Sequence, residues 1–190
     1  MQNRLILASA SPRRQELLRR IAGEFMVCPA DADETLPVGL PVEQQIETLA
    51  RRKAEAVWAL YPQDTVIGAD TMVVADGKPL GKPVDTADAR RMLKLLSGRT
   101  HEVITGLAVL SPAGERVGHR TTRVHVRTLT EAEIDRYIAT GEPLDKAGAY
   151  GIQGRGAVLI SGIEGDYFSV VGLPLELLYT MLSELNPDGI

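Results

Sequence analysis

The sequence predicts an α/β fold, with a mixed β-sheet flanked by helices in a single two-lobed domain spanning residues 1–190. Three observations lead there. Segments of helical and strand period alternate through the first half of the chain, as in α/β units. The later strands are separated by short turns, as antiparallel pairs are. One strand, Thr65 to Val74, is apolar on both alternating faces, as a strand covered on both sides must be. With 44% hydrophobic and 24% charged residues, the chain has the composition of an ordinary globular protein and the length to bury a substantial core.

The elements follow in order. Arg4 to Ala8 is a short apolar strand that ends in Ser9-Ala10-Ser11-Pro12. Ser11 is a favoured N-cap and Pro12 a favoured first residue for a helix running to about Ile21. Phe25 to Cys28 forms a second strand, followed by an acidic loop with Asp31, Asp33 and Glu34. Pro41 to Leu60 reads as an amphipathic helix whose stripe is Ile46, Leu49, Ala50, Ala54, Val57 and Leu60. After the Thr65 strand come a turn at Asp76-Gly77 and a loop through Gly81-Lys82-Pro83. A helix from Thr86 to Leu96 is closed by Gly98. His101 to Leu110 and Gly118 to Arg127 are strands joined by a turn around Pro112 to Gly114. Thr130 and Glu133 form a capping box for a helix to Ala139, ended by Gly141. Asp145 to Gly156 is a glycine-rich loop. Val158–Ile163 and Tyr167–Val171 flank Glu164-Gly165 and should pair as a hairpin, and Pro174 opens a last helix to about Leu185.

Charge and motif content exclude several functions. A net charge of -4, from 21 basic and 25 acidic residues, argues against a dedicated nucleic-acid binder. The basic residues are clustered, however, at Arg13, Arg14, Arg19 and Arg20 and again at Arg51, Arg52 and Lys53, which suits a small anionic ligand. Cys28 is the only cysteine, so an internal disulfide and a cysteine-based zinc site are both excluded. No signal peptide or membrane-length apolar run is present, so a cytoplasmic protein with no membrane partner is expected. His101, His119 and His125 lack the spacing of a metal site or a nucleophilic triad. Gly77 to Pro83 is not a Walker loop, since its glycine spacing is one short and Pro83 stands where Ser or Thr is required. Gly151, Gly154 and Gly156 are in the wrong order for a dinucleotide fingerprint.

Two charges contradict their surroundings. Lys53 lies inside the apolar stripe of its helix, where its stem must either snorkel past the core edge or meet an anion. Asp70 lies mid-strand among Val66, Ile67, Val73 and Val74. It is either half of a structural salt bridge, with Lys53 as one partner, or a metal ligand or general base in a polar opening. The turn from Ser9 to Arg14 places backbone N–H groups at a helix N-terminus, where anions bind. Arg13 and Arg14 oppose the helix dipole there and are better explained by a bound phosphate. Ser9 and Ser11, with no histidine partner, suit capping or phosphate contact rather than nucleophilic attack. Asp31, Asp33 and Glu34 offer hard oxygen ligands for magnesium or manganese. Cations, carboxylates and a helix N-terminus together suit metal-assisted attack of water on a polyphosphate.

The chain resembles the Maf family of nucleoside-triphosphate pyrophosphatases from Leu5 to Leu182. The segments that carry the likeness are Leu7 to Arg14, Ala50 to Ala54, Gly68 to Thr71, Lys82-Pro83, Ser97-Gly98 with His101 and Val103, Asp145 to Gly154, and Val171 to Leu175. The resemblance implies a long, bent mixed sheet with the site in a cleft between two lobes, and hydrolysis between the α and β phosphates. It implies that Asp70 accepts the proton of the attacking water and that Ser9, Arg14, Glu34, Lys53 and Lys82 handle phosphate or metal. A divalent cation (magnesium, manganese or cobalt) and a homodimer are also implied. Arg13, Thr71 and Gln153 fall on the positions that set base preference, in the combination of the subfamily acting on dTTP and UTP. The sister subfamily prefers 7-methyl-GTP, and the family has also been linked to inhibition of septum formation. One departure is Ser169, where relatives carry Asn.

Overall fold

The computed structural model describes residues 4–185. Among these, seven strands and six α-helices alternate. They are β1 (Leu5–Leu7), α1 (Pro12–Leu18), β2 (Met26–Val27), α2 (Val42–Trp58), β3 (Thr65–Ala75), β4 (Lys78–Leu80), α3 (Thr86–Leu96), β5 (Thr100–Ser111), β6 (Gly114–Val126), α4 (Glu131–Ile138), β7 (Ile160–Glu164), α5 (Tyr167–Val171) and α6 (Leu175–Leu185). The sheet has the order β2-β1-β3-β5-β6-β7, with β4 beside β3. β1 runs parallel to β2 and β3, whereas β4 and β7 run antiparallel to β3 and β6, so the sheet is mixed as expected. The chain forms two compact units, one of residues 4–71, 105–120 and 172–185, the other of 72–104 and 121–171.

In the first unit, α2 lies on the sheet. Ile46, Leu49, Ala50, Ala54 and Val57 are buried, and Ala50, Ala54 and Val57 pack with Ile6, Val66 and Ala108. Leu60, expected in this stripe, is 67% exposed, because the helix ends at Trp58 before Leu60 can turn inward. The approach is close enough to touch backbone. A Cβ on Gly68 of β3 would lie 2.2 Å from the Ala50 carbonyl oxygen, and one on Gly106 of β5 would lie 2.5 Å from the Ile46 carbonyl oxygen. Only glycine permits that contact.

The second unit packs α3 and α4 against its own strand segments. Met92, Leu93 and Leu96 meet Ile134, Tyr137 and Ile138 in a core completed by Val103, Val124, Val126 and Leu159. The capping box forms as expected: Thr130 accepts from Glu133 N, and the Glu133 carboxylate accepts from Thr130 N. His101 is buried here, its Nε2 sharing a 2.7 Å hydrogen bond with the Tyr150 hydroxyl. Its Nδ1 has no partner among the described residues, and burial pushes the imidazole pKa down to about 4.

One expected hairpin does not form. Ile160–Glu164 is a strand, paired with β6, but Tyr167–Val171 is helical. Asp166 explains the change. Its carboxylate accepts from Phe168 N at 2.8 Å and Ser169 N at 3.2 Å, satisfying the donors that a helix start exposes. Thr122 Oγ1 accepts from Asp166 N and shares a 2.9 Å hydrogen bond with Ser169 Oγ, so Ser169 holds this corner together. The short strand β4 was hidden by Pro79, and three 3-10 turns lie between Glu142 and Leu159, one of them, Ala147–Ala149, inside the glycine-rich loop.

Two stability outcomes follow. Gly68→Ala must lift α2 off β3 and should cost about 2 kcal/mol or more in urea unfolding, as overpacking does. Since neutral His101 is the form that folds, stability should fall as pH drops from 6.5 toward 4, where the unfolded chain binds the extra proton. The loss between pH 7 and 4.5 should shrink by roughly 2 kcal/mol in His101→Gln, measured by urea unfolding at both values.

Candidate functional site

The charged cluster of the first unit is set by the α2 contact. Ala50 covers Gly68, Lys53 lies one turn further along the same helix face, and Asp70 lies two residues beyond Gly68 on the same strand face. The Lys53 Nζ donates to Asp70 Oδ1 at 2.5 Å and lies 2.8 Å from Glu34 Oε1. The Lys53 and Asp70 side chains are 13% and 21% exposed, whereas Glu34 is 71% exposed. Lys53 therefore does not snorkel. It joins an inner carboxylate to an outer one.

Glu34 reaches this cation because its loop is strapped to α2. Arg52 Nη1 donates to the carbonyls of Thr35 at 2.8 Å and Asp33 at 3.3 Å. The Asp33 carboxylate accepts from Thr35 N at 2.9 Å, which closes the turn, and hydrogen bonding from Thr35 holds its pKa below the usual carboxylate value. Arg52 thus organises the acidic loop. Of the three acidic residues in the loop, Asp33 is used locally, Asp31 is exposed, and Glu34 faces Lys53.

Ser9, Arg14 and Thr71 meet beside this cluster. Arg14 Nε donates to the Gly172 carbonyl at 2.8 Å, Nη1 to Ser9 Oγ at 3.2 Å and Nη2 to Thr71 Oγ1 at 3.2 Å. All three acceptors are neutral, so the guanidinium is oriented without its charge being cancelled. Burial lowers its pKa, the Asp70 and Glu34 charges oppose that, and the neighbouring Arg13 adds to it. Ser11 caps α1 through a 3.5 Å hydrogen bond from Arg14 N, and Ser9 Oγ accepts from Ser11 N at 3.2 Å. Two N–H groups of the anion-binding turn are therefore engaged by hydroxyls, leaving the guanidinium as its strongest feature.

Two participants were missed from sequence. Buried Thr105 shares a 2.9 Å hydrogen bond with Thr71, and Gly172 supplies the carbonyl that aims Arg14. A lone threonine in the apolar run Val103 to Leu110 was an available signal for the first. Nothing local marks the carbonyl of Gly172, because its partner is far away in sequence.

Lys82 and Gln153 belong to the second unit, both on exposed segments. The Lys82 loop is joined to the glycine-rich segment by a hydrogen bond from Gly148 N to the Gly81 carbonyl at 3.1 Å.

As to metal, the described residues contain no group of three or more His, Cys, Asp or Glu suited to hold an ion. They do contain two carboxylates converging on one cation, Lys53. A pair of hard oxygen donors fits a magnesium-like ion, which takes one or two protein carboxylates and completes its shell with phosphate and water.

The chain is similar to several known proteins. A solved structure titled "The structure of the Staphylococcus aureus Ham1 protein" superimposes with a TM-score of 0.58 at 16% identity, covering 96% of this chain and 99% of that one, a likeness of fold alone. A relative from Koribacter versatilis is 56% identical over 94% of this chain and 92% of its own length. Another, from Moorella thermoacetica, is 54% identical over 98% and 97%. A third, from Bacillus pumilus, is 51% identical over 91% and 92%, and all three are named dTTP/UTP pyrophosphatase. The profile of the family described as Maf-like protein matches residues 4–185, and with relatives this similar over nearly the whole length, the chain belongs to the Maf family.

Proposed function

We propose that this chain is a nucleoside triphosphate pyrophosphatase that hydrolyses the α–β phosphate bond of dTTP and UTP, and of modified pyrimidine nucleotides, to the monophosphate and pyrophosphate. The observation that supports it most is Lys53 held between Asp70 and Glu34 beside an Arg14 aimed by the Gly172 carbonyl and the hydroxyls of Ser9 and Thr71. Relatives more than half identical carry the name of that activity.

In this reading Arg14, aimed by Gly172, Ser9 and Thr71, grips phosphate oxygens, and Arg13 adds charge at the same turn. Asp70, with Oδ1 engaged by Lys53, has its second oxygen to take the proton of the attacking water. Lys53 fixes the orientation of that carboxylate and opposes the charge gathering on the phosphates. Lys82 supplies a further cation, and Gln153 reads the pyrimidine edge, since an amide donates and accepts at once. Glu34 and Asp70 would hold the divalent cation, which when bound neutralises phosphate charge and polarises a phosphoryl oxygen. A homodimer and a cytoplasmic location complete the proposal, the former tested by sedimentation equilibrium; among the described residues no helix is long and apolar enough to cross a membrane.

The test is pyrophosphate release from a panel of dTTP, UTP, the other common triphosphates and 7-methyl-GTP, with manganese or magnesium. The pyrimidine substrates should lead by at least tenfold, and Asp70→Asn should remove turnover. A preference for 7-methyl-GTP would overturn the base assignment. Lys53→Ala should lower kcat/KM by more than tenfold, at least about 1.4 kcal/mol of transition-state stabilisation. Wild-type kinetics in a folded Lys53→Ala protein would sink the role given to Lys53.

A further inference from the structure

Within the second unit, the segment from Gly151 to Gly156 wraps one carboxylate. Glu142 Oε2 accepts from Arg155 N at 2.8 Å, and Oε1 accepts from Gly156 N at 3.1 Å. The Tyr137 hydroxyl donates to the same Oε1 at 2.9 Å while accepting from Gly151 N at 3.1 Å. The backbone is thereby gripped at Gly151 on one side of Gln153 and at Arg155 and Gly156 on the other. The wrapping is tight. A Cβ on Gly154 would lie 2.5 Å from Glu142 Oε2, so residue 154 must lack a side chain for the loop to close on the carboxylate. Glu142 is fixed in turn. Its N–H donates to Thr140 Oγ1 at 3.2 Å, and its carbonyl accepts from Lys146 Nζ at 2.9 Å. Gln153 itself is exposed, so it is presented by a backbone pinned on both sides.

We propose that Glu142, assisted by Tyr137, is a positioning residue for nucleobase selection: it holds the Gly151–Gly156 segment in the one shape that presents Gln153. This rests on the reading that Gln153 contacts the base. A carboxylate is needed because two backbone N–H groups and a hydroxyl converge on it, more donors than a neutral amide can accept. Burial raises the pKa of Glu142, but the donors of Arg155, Gly156 and Tyr137, with the charge of Lys146, outweigh it and keep the group ionised. In Glu142→Gln an NH2 group would face a backbone donor, and the segment would loosen.

The experiment compares kcat and KM for UTP and ATP in the wild type, Gln153→Ala, Glu142→Gln and Tyr137→Phe. Glu142→Gln should lower the UTP-to-ATP ratio of kcat/KM at least fivefold, chiefly through a rise in KM for UTP. Tyr137→Phe should shift the ratio in the same direction by about half as much on a logarithmic scale. A merely structural loss would reduce the active fraction, scaling kcat for both nucleotides alike while leaving both KM values and the ratio where they were. If Gln153→Ala changes the ratio and Glu142→Gln does not, the positioning role falls and the base-reading role stands. If Gln153→Ala leaves the ratio unchanged, both fall together.

Discussion

The backbone of α2 presses directly on the sheet where Gly68 and Gly106 have no side chains, and the chemistry of the first unit depends on that contact. Side chains standing between helix and sheet would normally separate the two. Here the helix instead lies close enough for its own backbone to border the strands. Lys53 therefore enters at a fixed height above Asp70, and a partly buried ion pair forms whose geometry the packing sets. Such a pair stabilises little on balance, because removing two charges from water consumes most of the attraction. Its value is in placement: the ammonium is held where two carboxylates converge.

Around that pair, the polar groups are arranged to preserve charge rather than cancel it. Arg14 is aimed by a carbonyl and two hydroxyls, so its orientation is determined while its field still reaches outward. Thr105 fixes Thr71, which helps fix Arg14, so a buried hydroxyl on β5 contributes to aiming a guanidinium on α1. Arg52 does the corresponding work for the acidic loop. The second unit uses the opposite device, one ionised carboxylate that gathers backbone N–H groups and so shapes a loop with little regular structure.

Much of this was legible where local physics decides. The caps at Ser11 and Thr130 act through groups within three residues, and the stripe of α2 follows from helical period, so both could be read directly. Lys53 and Asp70 stood out because each violates its own local pattern. The failures have equally specific causes. Tyr167 to Val171 has the composition of a strand, yet Asp166 offers a helix cap that outweighs β propensity over five residues. Leu60 continued the periodicity on paper beyond the point where the helix stops.

The sequence by itself determined the class of fold, the order and type of most elements, and which charges could not be ordinary surface groups. These depend on spacing, which a linear chain displays. Only the tertiary structure decided that Lys53 bridges Asp70 to Glu34, that Gly172 aims Arg14, and that Glu142 gathers the segment bearing Gln153. Each of these is a contact between atoms brought together by packing, with donors and acceptors distributed over separate elements. No periodicity encodes a hydrogen bond between residues 158 apart, as Arg14 and Gly172 are, and the close approach that permits the Lys53 pair follows from absent side chains at two glycines.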